Sequence, residues 1–203
     1  MEEFICEDKP VIWSINVDEI EKSLLSLTAT GCGGKPLDIE AAFALWVDWT
    51  VQIREQKRTI FLIGNGASAS MASHVAADLA KNVHVHAEVF SDLSLITAIA
   101  NDISFNEVFA EPLRRRMKSG DMLVAISSSG QSVNVLKAAE EARKLDGSMV
   151  TLSAMKGDNP LTSKGDLNFY VPAATYGMAE TCHAAILHYW IDKTILLRAD
   201  LND

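Results

Sequence analysis

The apolar run Met122–Ile126 has the length of a buried strand and stops abruptly in Ser127-Ser128-Ser129-Gly130-Gln131-Ser132. Helical periodicity follows from Val133 to Leu145, with Val135, Leu136, Ala139 and Ala142 at spacings of three and four. Strand, hydroxyl-rich turn and helix form the unit from which α/β proteins build anion sites. The free N–H groups of the first helical turn point toward the turn, and the helix dipole there favours negative charge. Four serines in six residues add neutral donors that can wrap a phosphate without a metal or a lysine. The alternative, that the serines only cap the helix, requires a single one of them.

The same alternation runs through the chain from Arg58 onward. Thr59–Ile63, Ala87–Phe90, Met122–Ile126, Met149–Leu152 and Leu167–Val171 read as strands. Ala67–Asn82, Leu93–Ala100, Asn106–Met117, Val133–Leu145 and Met178–Leu197 read as helices. Strands alternating with helices predict an α/β architecture, a parallel sheet with helices on both faces. Residues 1–57 differ. Val17–Leu27 and Ile39–Ile53 read as amphipathic helices, separated by a Thr28–Pro36 loop marked by glycines and a proline, with no strand beyond a brief Val11–Trp13. In the second helix Ala42, Leu45, Trp46, Trp49 and Ile53 form a stripe that must be buried on the following core or on another subunit. The expected organisation is one compact unit, with a helical oligomerisation segment at 1–57 packed on an α/β domain at 58–203.

At 203 residues the chain is large enough for a real core, and 48% hydrophobic with 22% charged residues is ordinary for a globular protein. The net charge of −9 argues against nucleic acid or an anionic membrane as partner, but leaves a phosphorylated small molecule open. Cys6, Cys32 and Cys182 form no CxxC and no disulfide framework, which suits a reducing cytosol. Met1-Glu2-Glu3-Phe4 is acidic where a secretory signal is basic, and no apolar run approaches membrane-spanning length. A cytoplasmic protein is expected.

The strand at Thr59–Ile63 also ends in a turn of small residues, Gly64-Asn65-Gly66-Ala67-Ser68-Ala69-Ser70. Ala69 stands where a dinucleotide fingerprint needs its third glycine, and no acidic ribose anchor follows, which argues against a nicotinamide cofactor. Ligands of parallel sheets sit beyond the carboxyl ends of strands, so the two hydroxyl-bearing turns are expected to face one ligand. On the next helix His74 and Asp78 share a face. On the last helix Glu180, His183 and His188 fall in a row, with His188 about 80° around the axis from Glu180. His74, Asp78, Glu180 and His188 make a ligand set suited to zinc or another divalent metal, and equally to proton transfer. A surface His–Asp pair and a core His183 are the plainer alternatives. His84 and His86 read as a solvated approach to the second strand.

With these residues in view the chain resembles the sugar isomerase (SIS) domain family, and within it the phosphoheptose isomerases, over about residues 38–197. Gly64–Ala69 is similar to that family's GNGGSA turn, Ile126–Ser132 to its ISTSGNS loop, and the stretch from Leu95 through Asn101 and Asp102 to its LTAIxND segment. The resemblance implies a three-layer αβα sandwich on a five-stranded parallel flavodoxin-like sheet, with N-terminal helices. It also implies a homotetramer with active sites at subunit interfaces. Carried over by position, it implies that Asn65, Gly66, Ser68, Asp102, Ser127, Ser128, Ser129 and Ser132 contact a phosphorylated sugar. It further implies that His74, Asp78, Glu180 and His188 hold zinc, and that Asp78, Glu180 and His188 move protons. The implied reaction converts sedoheptulose 7-phosphate to D-glycero-D-manno-heptose 7-phosphate through a cis-enediolate.

Two residues depart from the family pattern. Asp78 stands for a glutamate, which shortens the reach by about 1.5 Å, and Glu180 stands for a glutamine. The competing class is a non-catalytic tetrameric SIS adaptor or a phosphosugar-binding regulator. Retention of both His74 and His188 favours the enzyme.

Overall fold

The pleat of a strand sends alternate side chains to opposite faces, so a strand that is apolar throughout needs cover on both sides. The computed structural model, which describes residues 12–199 with side chains through 196, meets that requirement. The acidic N-terminus, Cys6 and the Val11 end of the expected Val11–Trp13 strand lie outside the described residues. In chain order the elements are α1 (Trp13–Leu25), β1 (Thr28–Gly31), β2 (Pro36–Leu37), α2 (Ile39–Glu55), β3 (Thr59–Ile63), α3 (Ala67–Asp78) and β4 (His86–Val89). Then come α4 (Leu93–Asp102), α5 (Ala110–Arg116), β5 (Met122–Ser127), α6 (Val133–Lys144), β6 (Ser148–Ala154), β7 (Leu167–Val171) and α7 (Tyr176–Ala199).

The sheet runs β2-β1-β7-β6-β5-β3-β4. Its five strands β4, β3, β5, β6 and β7 are parallel. Their order by appearance is 2-1-3-4-5, the doubly wound flavodoxin-like order. Ile60, Leu62, Met122, Val124, Ile126, Val150, Leu152 and Phe169 pack against α2, α3 and α7 on one face. Phe61, Ile63, Leu123, Ala125 and Met149 meet Ile99, Leu113, Val135, Ala138 and Ala142 of α4, α5 and α6 on the other. The fold is thus the expected αβα sandwich, extended by two strands.

Those two strands correct the expected loop at Thr28–Pro36. Thr28–Gly31 pairs antiparallel with β7, and Pro36–Leu37 folds back on β1. The reversal between them uses Gly33 at φ 70° and Gly34 at φ 75°, a conformation only glycine adopts freely. Thr-Ala-Thr-Gly carries no apolar alternation, so its pairing answers the open edge of β7 rather than its own pattern. Three helix ends also differ. Trp13, expected in a strand, begins α1. The expected helix Asn106–Met117 splits into a 3-10 turn at Phe105–Glu107 and a short α5, because Pro112 cannot donate back into a preceding turn. The helix after β3 is α-helical only to Asp78, then widens into a π-helical turn at Leu79–Val83 closed by left-handed His84.

The α2 stripe is buried within this chain. Trp46 and Trp190 stack with ring centroids 4.1 Å apart and planes 11° from parallel, and Phe43 and Phe169 complete the cluster. Trp190 Nε1 donates to Thr50 Oγ1 at 2.9 Å, which in turn donates to the Trp46 carbonyl at 2.8 Å. Both indoles are completely buried. Replacing Trp190 by Ala removes this volume and leaves the Thr50 hydroxyl without its indole donor. The expected loss is about 3–5 kcal/mol of unfolding free energy, measurable by urea denaturation.

Candidate functional site

In a doubly wound sheet the ligand crevice lies where neighbouring strands send their crossovers to opposite faces. Here those strands are β3 and β5, paired in register from Ile60↔Met122 to Ile63↔Ala125. Their outgoing turns, Gly64–Gly66 and Ser128–Ser132, therefore stand side by side. Gly64 is needed for this approach, because a Cβ there would collide with Ser68 and the Ile126 carbonyl oxygen. Gly66 opens α3 at φ 56°.

The serine loop is held from behind. The Ala154 N–H donates to the Ser128 carbonyl at 3.0 Å, and the Leu161 N–H donates to the Gly130 carbonyl at 3.2 Å. Asn159, 2% exposed, donates to Ser153 Oγ and to the carbonyls of Ala154 and Lys156. Ser127 Oγ donates to Ser132 Oγ at 3.3 Å, and Ser129 Oγ accepts from the Gln131 N–H at 3.3 Å. Ser132 is the N-cap residue of α6, yet its side chain makes no capping hydrogen bond. Ser128 Oγ is buried and has no hydrogen-bond partner among the described residues. Capping therefore does not explain these serines, and a buried hydroxyl without a partner is a group that a ligand would satisfy.

On the α2-side face, α3 and α7 pack side by side and bring His74, Asp78 and His188 together. One candidate ligand atom from each lies within 4.8 Å of the others. The His74 and His188 rings have centroids 5.3 Å apart, and His74 Nε2 is 3.3 Å from Asp78 Oδ2. The other carboxylate oxygen of Asp78 accepts from Asn82 Nδ2 at 3.4 Å. Two imidazoles and a carboxylate, partly exposed, are a donor set that a divalent metal can use. Along α3, His74 sits about 10 Å of helix rise from Ala67, so the cluster and the serine loop address separate parts of any shared ligand.

The other expected residues fall out differently. Glu180, placed with the metal set on sequence grounds, stands outside the cluster within this chain. It precedes His188 by two turns of α7, about 12 Å of rise, and among the described residues only His74, Asp78 and His188 converge. Asn65 is present at the crevice, but its side chain is committed to Asn134 by two hydrogen bonds of 2.9 Å. Ser68 is 4% exposed at the start of α3. Asp102 ends α4, exposed, and accepts from Asn101 at 2.8 Å. Among the described residues no hydrogen bond links Asp102 to either loop. His86 opens β4 opposite Thr59, at the far end of the sheet from the crevice, and pairs with Glu88 at 3.2 Å. Asn134 and Asn159 escaped the sequence reading. The Asn159-Pro160 dipeptide was a usable turn signal; Asn134 carried none.

His183 is fully buried on α7, and among the described residues neither ring nitrogen has a hydrogen bond of ordinary geometry. Burial pushes its pKa from 6.5 down to about 4, opposed in smaller part by the Ser153 backbone. It is thus a neutral core histidine and not a member of the cluster.

Two outcomes follow for stability. Between pH 6.5 and about 4 the unfolded chain takes up a proton that folded His183 refuses, so stability falls across that window and levels off below it. The span corresponds to about 3 kcal/mol, and urea titrations at stepped pH should show this acid slope flattened in His183→Gln. Gly130 lies at φ 63°, and a Cβ there would overlap the Asn159 amide. Gly130→Ala is therefore expected to lower unfolding free energy by about 1–3 kcal/mol, read by chemical denaturation.

Residues 37–154, from the end of β2 through β6, match the family described as the SIS domain. The chain is 36% identical over 152 residues to a phosphoheptose isomerase of Colwellia psychrerythraea, covering 70% of this chain and 78% of that protein. It is 35% identical over 135 residues to the phosphoheptose isomerase of Thermodesulfovibrio yellowstonii, covering 64% of this chain and 67% of that one. Among solved structures it is similar to a phosphoheptose isomerase of Neisseria gonorrhoeae. That likeness has a TM-score of 0.77 and 24% identity, and covers 90% of this chain and 94% of the other. The matched span, the doubly wound sheet and the paired small-residue turns agree: the chain belongs to the SIS (sugar isomerase) domain family.

Proposed function

We propose that this chain is an aldose–ketose isomerase acting on a phosphorylated sugar, with sedoheptulose 7-phosphate as substrate and D-glycero-D-manno-heptose 7-phosphate as product. The observation that carries this reading is the convergence of His74, Asp78 and His188 in a chain that also presents an unpartnered serine hydroxyl beside a helix start. Relatives bearing the name phosphoheptose isomerase support the substrate class.

In this reading Ser127, Ser128, Ser129, Ser132 and the first N–H groups of α6 hold the phosphate, remote from the reacting carbons. Ser68, the backbone of Asn65 and Gly66, and Asp102 line the sugar. Asp78 takes a proton from C1 of the ketose while the C2 carbonyl oxygen gains one, giving the cis-enediol. Return of a proton to C2 and loss of the O1 proton then yields the aldose. His188 carries the proton between O1 and O2. His74, Asp78 and His188 would hold zinc or another divalent ion, which supplies positive charge beside the developing oxyanion when bound. Asp78 and not Glu180 is the base here, because only Asp78 belongs to the cluster within one chain.

We also infer a cytoplasmic homo-oligomer, the tetramer of the family resemblance, with the site at a subunit boundary that Glu180 of a neighbour would reach. The exposed apolar side chains of α1, with Trp13 at 78% and Leu25 at 80% exposed, support self-association. No helix among the described residues is long and apolar enough to cross a membrane.

Deuterium incorporation at C1 of sedoheptulose 7-phosphate and at C2 of the aldose product in heavy water, followed by NMR, tests the chemistry; metal analysis of protein purified without chelator tests the ligands. His74→Ala and His188→Ala should each lose stoichiometric metal and slow exchange by about 10²–10⁴-fold. Native exchange rates in a His74→Ala/His188→Ala double variant would overturn the proposal.

A further inference from the structure

Asn134 is 3% exposed on the first turn of α6, and nothing in the chemistry above uses it. Its Oδ1 accepts from Asn65 Nδ2 and from the Val135 N–H, both at 2.9 Å. Its Nδ2 donates to Asn65 Oδ1, also at 2.9 Å. A backbone N–H can only donate, so Val135 fixes which end of the Asn134 amide is oxygen, and the reciprocal pair then fixes Asn65. The result is a two-bond amide clasp between residues 69 positions apart in sequence, Asn65 on the β3 turn and Asn134 on the helical turn that directly follows the serine loop.

We infer that Asn134 is a positioning residue, which through Asn65 holds the serine loop and the Gly64–Gly66 turn at one spacing. The inference rests on the isomerase reading for its consequence, since the serine loop there anchors phosphate while the β3 turn launches α3 with His74 and Asp78. The clasp sets the distance between the anchor and the reacting end. Two parallel hydrogen bonds resist shear better than one, and each amide, Asn134 buried and Asn65 partly so, would lose its partner if the turns moved apart. Helix capping through Val135 is the competing role, and it involves Asn134 alone.

Two measurements on the full chain separate these roles. The first is amide hydrogen exchange of Asn134→Ala and of Asn65→Ala. The clasp predicts that each variant speeds exchange in both turns, residues 64–70 and 127–135. Asn65→Ala should do so although it leaves the Val135 hydrogen bond intact. Faster exchange confined to the first turn of α6 in Asn134→Ala, with the serine loop unchanged in Asn65→Ala, would overturn it. The second is steady-state isomerisation of sedoheptulose 7-phosphate. Each single variant should lose about tenfold to a hundredfold in kcat/KM, and the double variant should be no worse than the weaker single, because both remove the same clasp. Losses that multiply in the double variant, or an unchanged kcat/KM in Asn134→Ala, also overturn it. If the native protein fails to turn over this sugar, the isomerase reading falls, while the exchange measurement still decides the clasp.

Discussion

β3 and β5 lie side by side and hand the chain to opposite faces of the sheet, α3 returning beside α2 and α7, α6 beside α4 and α5. Much of the molecule's chemistry follows from that divergence. It leaves a crevice with no crossover blocking it, lines the crevice with the two small-residue turns, and aims the start of α6 into it. It also delivers α3 to the face where α7 descends, which is how two histidines more than a hundred residues apart come to lie with ring centroids at 5.3 Å. The aromatic stack of Trp46 and Trp190 then fixes α7 against α2, so the second histidine-bearing helix is anchored by packing rather than by its polar groups.

The layered fold was legible because its signal is dense. Five apolar runs separated by helical periodicity leave little but a parallel sheet covered on both sides, and strands such as Leu123–Ile126 announce two-sided burial by lacking polar alternation. What escaped was set by tertiary context. Thr28–Gly31 is a strand because β7 offers it an edge, and four residues of mixed character advertise nothing of the kind. The break in the helix after Asn106 was foreseeable from Pro112, whereas the π-helical widening after Asp78 had no visible local cause.

The candidate site is legible in its parts and less so in its joints. Serines after a strand, and histidines at helical spacings, point to chemistry by residue type alone. Asn65 also looked like a ligand contact, and its side chain turned out to be tied to another asparagine on a different turn. Such a pairing depends on a loop and a helix start being adjacent, which periodicity cannot express. Glu180 shared a helix with His188, but shared membership of a helix does not bring carboxylate and imidazole to one point when two full turns intervene.

The Thr28–Leu37 hairpin has an effect beyond lengthening the sheet. By pairing with β7 it replaces a buried apolar border with a two-residue fringe that begins in Pro36, a residue with no N–H to offer. The opposite margin, β4, carries His86 and Glu88. Neither rim is suited to ladder growth by a second copy. Any association between molecules would therefore fall to helical surfaces, where side chains choose the partner and the backbone has no vote.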